Sequence, residues 1–147
     1  MTDASDQVII HVDGGARGNP GPAGAGVVIA DPDGTPLHEA GYFLGHATNN
    51  VAEYTGLLRA LEVATTMNVK RVAVHSDSQL MVKQLNGEYR VKSPDLKPLY
   101  QQAAKLLDAF AASTITPVSR DKNQRAAQLA NLAMDADAAR IVTGWPQ

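Results

Sequence analysis

The sequence predicts an α/β protein: a five-stranded mixed sheet, with three antiparallel strands and further parallel ones, flanked by helices. Three observations carry that prediction. Residues 8–44 hold three strand-like runs joined by short turn-like connections, which make an antiparallel meander. From residue 51 onward, segments with helical spacing alternate with two more β-rich runs. In the resulting order β-β-β-α-β-α-α-β-α, right-handed crossovers set the first, fourth and fifth strands parallel, with the meander forming the other side of the sheet. At 147 residues without an internal repeat, the chain makes one domain with a real core.

The first strand is announced by Val8, Ile9, Ile10 and Val12, whose β-branched side chains suit a covered sheet. Asp13 stands where that run stops, at the rim of the core. A partly desolvated carboxylate is costly there unless a metal ion or hydrogen-bond donors compensate it. Gly14, Gly15, Gly18 and Gly21 follow in a turn-rich loop and are expected to let backbone amides approach a bulky ligand. Ala23–Ala30 reads as the second strand, ended by the turn Asp31-Pro32-Asp33-Gly34, and Pro36–Leu44 as the third. Thr48-Asn49-Asn50 supplies helix-start chemistry for a helix over Val51–Met67, with Val51, Tyr54, Leu58 and Leu61 at helical spacing. Lys70–Ser76 is the fourth strand and ends in Asp77. Ser78–Leu85 makes a short helix closed by Asn86-Gly87. Ser93-Pro94-Asp95 opens a longer helix reaching about Ala112, Ser113–Val118 is the fifth strand, and Asn123 to about Arg140 is the last helix. The domain is expected over residues 8–140, with a disordered N-terminal tail over 1–7 and a frayed C-terminal tail over 141–147.

Composition excludes several classes. There is no cysteine, hence no disulfide and no thiolate metal site. No apolar run approaches a membrane span, and residues 1–7 are polar and acidic, unlike a signal peptide. A cytoplasmic protein away from membranes is the expectation, and a monomer. The net charge of -2 gives no general sign of a nucleic-acid binder. Basic residues nevertheless cluster, as Lys83, Arg90, Lys92 and Lys97 and again as Arg120, Lys122 and Arg125, so a local positive face is available. A phosphate-cradling NTPase loop is disfavoured because GARGNPGPAG lacks the Gly-Lys-Ser/Thr end such a loop needs.

Two further acids join Asp13. Glu53 lies in the first turns of its helix, four residues before Leu57 and on the same flank. Asp77 ends the fourth strand, whose end neighbours that of the first in the expected topology, where open α/β sheets place their sites. Singly, Glu53 could be a helix-dipole acid and Asp77 a helix cap. Together, three carboxylates at one sheet edge would repel one another and take up protons unless a cation held them. All-oxygen ligation suits Mg²⁺ or Mn²⁺. No histidine has a metal-ligand spacing: His11 packs on the first strand, His75 on the fourth, and His38 and His46 flank the third.

The blocks DGGARGNPGPAG, TNNVAEY, HSDSQLMVKQLNGEYRVKSPDL and VSRDKNQRAAQLAN occur in the order and spacing of type 1 ribonuclease H, and the chain resembles that family over nearly its whole length. The resemblance implies a ribonuclease H-like fold and a metal-dependent endonuclease that cuts the RNA strand of RNA/DNA hybrids with two Mg²⁺, for which Mn²⁺ can substitute. It assigns Asp13, Glu53 and Asp77 to three of four metal-binding carboxylates. It assigns the backbone around Gly14, Gly15 and Ala16 to RNA 2′-hydroxyls, the side chains of Asn19, Asn49, Asn50 and Gln79 to the minor groove, and Thr48 to a phosphate. A 2′-hydroxyl both donates and accepts, so amides and backbone groups can distinguish RNA from DNA.

The chain departs from the family pattern R-E-x-N-x-x-A-D-x-L-A-N at the fourth acid, where it has Ala127. Asp135 lies about 12 Å further along the helix at 1.5 Å per residue, and Asp121 precedes it, so neither substitutes. The resemblance therefore implies impaired cleavage. Deliberate inactivation is the preferred explanation, a naturally weak nuclease the other. A second departure is the missing basic protrusion: only Glu88–Lys92 separates Gly87 from Ser93, with Tyr89, Arg90 and Lys92 as a reduced substitute. Two other functions stay open, a non-catalytic hybrid-binding module and a resolvase- or transposase-like DNA nuclease on the same fold.

Overall fold

The computed structural model describes residues 6–136 and the strand Ile141–Val142. The chain runs through β1 (Gln7–Ala16), β2 (Gly21–Ala30), β3 (Pro36–Ala47), α1 (Asn49–Thr66), β4 (Arg71–Ser76), α2 (Gln79–Leu85), α3 (Lys97–Asp108), β5 (Ala112–Pro117), α4 (Gln124–Ala136) and β6 (Ile141–Val142). A 3₁₀ turn over Arg120–Asn123 leads into α4. The sheet order is β5-β4-β1-β2-β3-β6. β1, β4 and β5 are parallel and β1, β2 and β3 antiparallel, as the element order requires. None of the helices among the described residues is long and apolar enough to cross a membrane.

Three departures from the sequence reading have a clear physical cause. β1 does not stop at Asp13 but continues through Ala16, because β2 goes on pairing opposite it (Asp13↔Gly26, Gly14↔Ala25, Gly15↔Gly24, Ala16↔Ala23). The expected long loop is thus a tight connection over residues 17–20, closed by the Arg17 N–H donating to the Pro22 carbonyl at 2.8 Å. α3 starts at Lys97 rather than Ser93. Ser93 builds its own turn first: its Oγ accepts from the Asp95 N–H and its carbonyl from those of Leu96 and Lys97. At the other end, the Lys70 carbonyl takes the N–H groups of Ala111 and Ala112 and pulls the chain into β5. The third difference is at the termini. Gln7 belongs to β1, Asp6 accepts the Lys70 N–H, and Ile141–Val142 adds a sixth strand against Ala40 and Gly41 of β3. The remaining tail residues, 1–5 and 143–147, and the expected end of the last helix at 137–140 lie outside the described residues.

The two faces of the sheet are covered differently. On one, α1 buries Tyr54, Leu57, Leu61 and Ala64 against Ile10, Val12, Val27 and Val74, with α3 packed behind it. Each fully buried leucine there contributes about 1.5–3 kcal/mol. On the other face, α4 lies on β2 and β3, where Gly24, Gly26 and Gly41 present no side chains. A Cβ on Gly26 would run into the Ala126 carbonyl and one on Gly41 into that of Leu129. The helix backbone therefore rests directly on the sheet. Buried Glu39 of β3 takes both Arg125 Nε (3.1 Å) and Nη2 (2.9 Å), a bidentate pair that fixes α4 at its start. The buried Asn123 Nδ2 donates to the Val12 carbonyl at 2.9 Å, one residue before Asp13.

Close approach also explains the first glycine of the block, though not in the way expected from sequence. A Cβ on Gly14 would lie 2.5 Å from the Ala52 carbonyl carbon and 2.7 Å from the Glu53 nitrogen. The missing side chain of Gly14 thus makes room for α1, while its backbone borders the cavity described below. Gly21 likewise faces the chain itself, since its Cβ would meet the Arg17 carbonyl. Gly15, by contrast, has room for a Cβ, which would meet Asn49 Oδ1 at an ordinary contact distance of 3.7 Å. Gly14→Ala should destabilise the protein by about 1–3 kcal/mol as an overpacked contact, whereas Gly15→Ala should change stability by less than about 0.5 kcal/mol. Urea denaturation of the pair measures the difference, and equal stabilities would refute this account of Gly14.

Candidate metal centre

Three elements bring three carboxylates together. β1 carries Asp13 and the residue after β4 carries Asp77, set side by side by the parallel register Val12↔Ser76. α1 supplies Glu53 one helical turn in, next to Ala52 at the Gly14 contact. One oxygen from each of Asp13, Glu53 and Asp77 lies within 4.8 Å of the others. The capping alternative for Asp77 does not apply, because Ser78 caps α2, its Oγ accepting from the Met81 N–H at 3.3 Å. Glu53 is buried, and its Oε1 has no hydrogen-bond partner among the described residues.

Charge crowding in this space has a definite sign. Burial, then the charges of Asp13 and Asp77, push the Glu53 carboxyl up to about 9. Burial, then the charge of Asp77 and a hydrogen bond to it, raise Asp13 to about 6. The Gly14 N–H and the Arg120 guanidinium oppose both shifts without cancelling them. A bare cluster therefore keeps a proton on Glu53 at neutral pH. An oxygen-only donor set with an uncommitted buried Glu53 oxygen is what a hard divalent cation takes.

Ala127 on α4 lines the same cavity, of about 360 Å³, as Asp13, Glu53, Gly15 and Asn49. No other Asp or Glu among the described residues joins the three as a ligand group. Asp135 is engaged instead with Arg17, at 2.7 Å. Three polar residues that line the cavity were not singled out as site residues from sequence: Arg17, Arg120 and Asn131. Arg120 Nε lies 3.8 Å from Asp77 Oδ2 and is mostly exposed. Its membership of a basic cluster was the available signal.

The residues assigned to substrate divide into two groups. Asn19 and Asn49 form a stitch: the Asn49 N–H donates to Asn19 Oδ1 at 3.0 Å, and the Ala16 N–H to Asn49 Oδ1 at 2.8 Å. Thr48 caps α1, its Oγ1 accepting from the Val51 N–H at 3.2 Å. These three side chains hold the β1–β2 turn against the start of α1, and the Ala16 amide is spent inside the protein. Asn50 and Gln79, by contrast, are exposed and their side chains make no hydrogen bond among the described residues. Gln79 opens α2 just beyond Asp77. His11 and His75, on the face of the sheet opposite α1, are edge to face, and burial lowers both imidazole pKa values, with the charge of His75 adding to the effect on His11.

Comparison with known proteins gives the family and the fold. Residues 11–133 match the family model described as reverse transcriptase-like. The chain is 47% identical over 133 residues to the bifunctional protein Rv2228c of Mycobacterium tuberculosis, covering 90% of this chain but 36% of that protein. It is 43% identical to ribonuclease HI of Halobacterium salinarum, covering 90% of this chain and 67% of the relative. The chain thus spans about a third of the length of its mycobacterial relatives. A crystal structure of LC11-RNase H1 in complex with an RNA/DNA hybrid superposes with a TM-score of 0.85 at 44% identity, over 88% of this chain and 98% of that one.

Because Asp13 and Glu53 hold their protons more tightly when folded than when unfolded, their contribution to stability is present below the ordinary carboxylate range. It is lost as pH rises through about 6 and then about 9. Metal-free protein should therefore lose thermal stability between pH 5 and pH 9, estimated from these shifts as roughly that window, and Glu53→Gln should flatten the loss. Mg²⁺ should raise the melting temperature more at the alkaline end than at the acid end. A melting profile that rises with pH in EDTA would contradict the crowding described here.

Proposed function

Because the chain belongs to the type 1 ribonuclease H family, we propose that it is a hydrolase cutting the RNA strand of RNA/DNA hybrids, leaving 5′-phosphate and 3′-hydroxyl ends. The observation that carries this reading is the convergence of Asp13, Glu53 and Asp77 within 4.8 Å around a buried, unpartnered Glu53 oxygen. Asp13 would hold two Mg²⁺ or Mn²⁺ ions, with Glu53 and Asp77 on the leaving-group side. When bound, two such ions supply Lewis acidity to the attacking and leaving oxygens of an in-line displacement at phosphorus.

The chain's own residues do the rest. The exposed Arg120 guanidinium, beside Asp77, offers bidentate hydrogen bonds to a phosphate entering the site. The backbone of Gly14, Gly15 and Ala16 borders the cavity and offers carbonyl acceptors to a 2′-hydroxyl, with the Ala16 amide already committed to Asn49. Asn50 and Gln79 have uncommitted amides and reach the minor groove directly. Asn19, Asn49 and Thr48 act on substrate by holding this surface in shape. All three carboxylates come from one chain, so a monomer suffices.

Ala127 weakens the catalytic half of the proposal. It lines the carboxylate cavity where the family pattern has its fourth acid, so an ion on the water side would lack a private ligand and cleavage would be slow. That observation favours, as a second reading, a hybrid-binding module without catalysis. A resolvase- or transposase-like DNA nuclease is disfavoured by exposed amides and backbone groups suited to 2′-hydroxyls.

End-labelled RNA/DNA, RNA/RNA and DNA/DNA duplexes of one sequence, each with Mg²⁺, Mn²⁺ or EDTA, test the reading. Slow cleavage confined to the RNA of the hybrid, abolished by EDTA, is expected. Tight hybrid binding with no cleavage under either ion would favour the binding module, and DNA cleavage would overturn both. Gln79→Ala should weaken binding of a non-cleavable hybrid by about 2- to 10-fold, the worth of one hydrogen bond, with the melting temperature unchanged. Unaltered affinity would remove Gln79 from the interface.

A further inference from the structure

A pair of imidazoles stands on the sheet apart from the carboxylates. His11 on β1 and His75 on β4 are direct neighbours in the parallel register, on one face of the sheet, with ring centroids 4.8 Å apart at 74°. Both are partly exposed. Two side chains at one register on adjacent strands leave the backbone in the same direction, so their ring nitrogens can turn toward one point without moving the main chain. His11 borders a cavity of about 160 Å³ with Val28, Asn123 and the stems of Lys122 and Arg125. Asn123, which lines that cavity, is buried, and its Oδ1 has no hydrogen-bond partner among the described residues. Arg125 is engaged with Glu39, which leaves Lys122 as the cation on the rim.

We propose that His11 and His75 form a second metal site, chemically distinct from the carboxylate centre, that takes a borderline divalent transition ion such as Zn²⁺, Ni²⁺ or Cu²⁺, with water completing its coordination. The donor chemistry decides the class of ion. Imidazole nitrogens suit Zn²⁺, Cu²⁺ and Ni²⁺, whereas Mg²⁺ prefers oxygen and keeps its waters. A single surface imidazole holds such ions weakly. A second one fixed beside it raises the affinity by the effective concentration the sheet imposes. The pair lies two residues before Asp13 and Asp77 on the same strands, about 7 Å along them at 3.3 Å per residue. Occupation would bind β1 to β4 just where the carboxylates are set.

The test uses the untagged chain. Zn²⁺ is titrated calorimetrically in the presence of excess Mg²⁺, and Cu²⁺ is followed by electron paramagnetic resonance for nitrogen hyperfine splitting. One ion per chain is expected, with two nitrogen donors. His11→Gln or His75→Gln should weaken Zn²⁺ binding at least about tenfold and leave one nitrogen donor or none, while His46→Gln and Asp13→Asn leave it unchanged. Circular dichroism checks that each variant folds, and if one does not, the other decides. Zn²⁺ affinity unaffected by both histidine substitutions, a Cu²⁺ spectrum without paired nitrogens, or loss of binding in Asp13→Asn would each overturn the proposal.

Discussion

The structure depends on backbone packed directly against backbone. α1 reaches β1 at Gly14 and α4 reaches β2 and β3 at Gly26 and Gly41, each glycine leaving space that a methyl group would take from a neighbouring main chain. Ordinary helix-on-sheet packing interposes side chains between the two layers. Removing them lets Glu53 come down from α1 to the level of the strand ends, and lets α4 carry residue 127 to the same cavity. The site follows from the packing. A layer displaced by one side chain's thickness would part Glu53 from Asp13 and Asp77, which the β1–β4 register alone holds together.

That geometry sets the protein's stability against its chemistry. Three carboxylates within 4.8 Å, one of them buried, cost free energy in the charged form. The surrounding structure bears that cost through fixed contacts: the Glu39–Arg125 pair, the Asn123 bond to Val12, and the asparagine stitch between the β1–β2 turn and α1. None of these contacts chemically resembles the site, yet each limits how far the carboxylates can relax apart. The rigid part of the protein is thus concentrated around its least comfortable charges.

Much of this was legible in the sequence. β-Branched runs, turn residues and helical spacing identify the five main strands, and crossover handedness places Asp13 beside Asp77. The helix position of Glu53 is readable from Leu57. What was not legible is the purpose of the small residues. Gly14 reads as freedom for a ligand-binding loop, but tertiary contact with Ala52 and Glu53 is its reason, and no local pattern records a contact across 38 residues of chain. For the same reason β1 reads as ending early: Gly14, Gly15 and Ala16 have poor strand propensity, and only pairing with β2 keeps them extended. Asn19 and Asn49 read as substrate contacts or as turn and cap residues. Structure supplies the second role, because each accepts from an amide that the sequence cannot locate. Arg120 is legible only as one of a basic cluster and not as a site residue, because an exposed basic residue carries no periodic signal.

The central claim is that α4, resting on a bare sheet, holds position 127 at the carboxylate cluster, so that one added carboxylate completes the centre. Ala127→Asp tests it directly, by single-turnover cleavage of an RNA/DNA hybrid in Mg²⁺ alongside calorimetric Mg²⁺ affinity. Restored Lewis-acid assistance on the water side should raise the rate by roughly 10²- to 10⁴-fold, with tighter Mg²⁺ binding and metal-free hybrid affinity nearly unchanged. A folded Ala127→Asp variant that binds Mg²⁺ no more tightly and cuts no faster than the chain with alanine would contradict the claim.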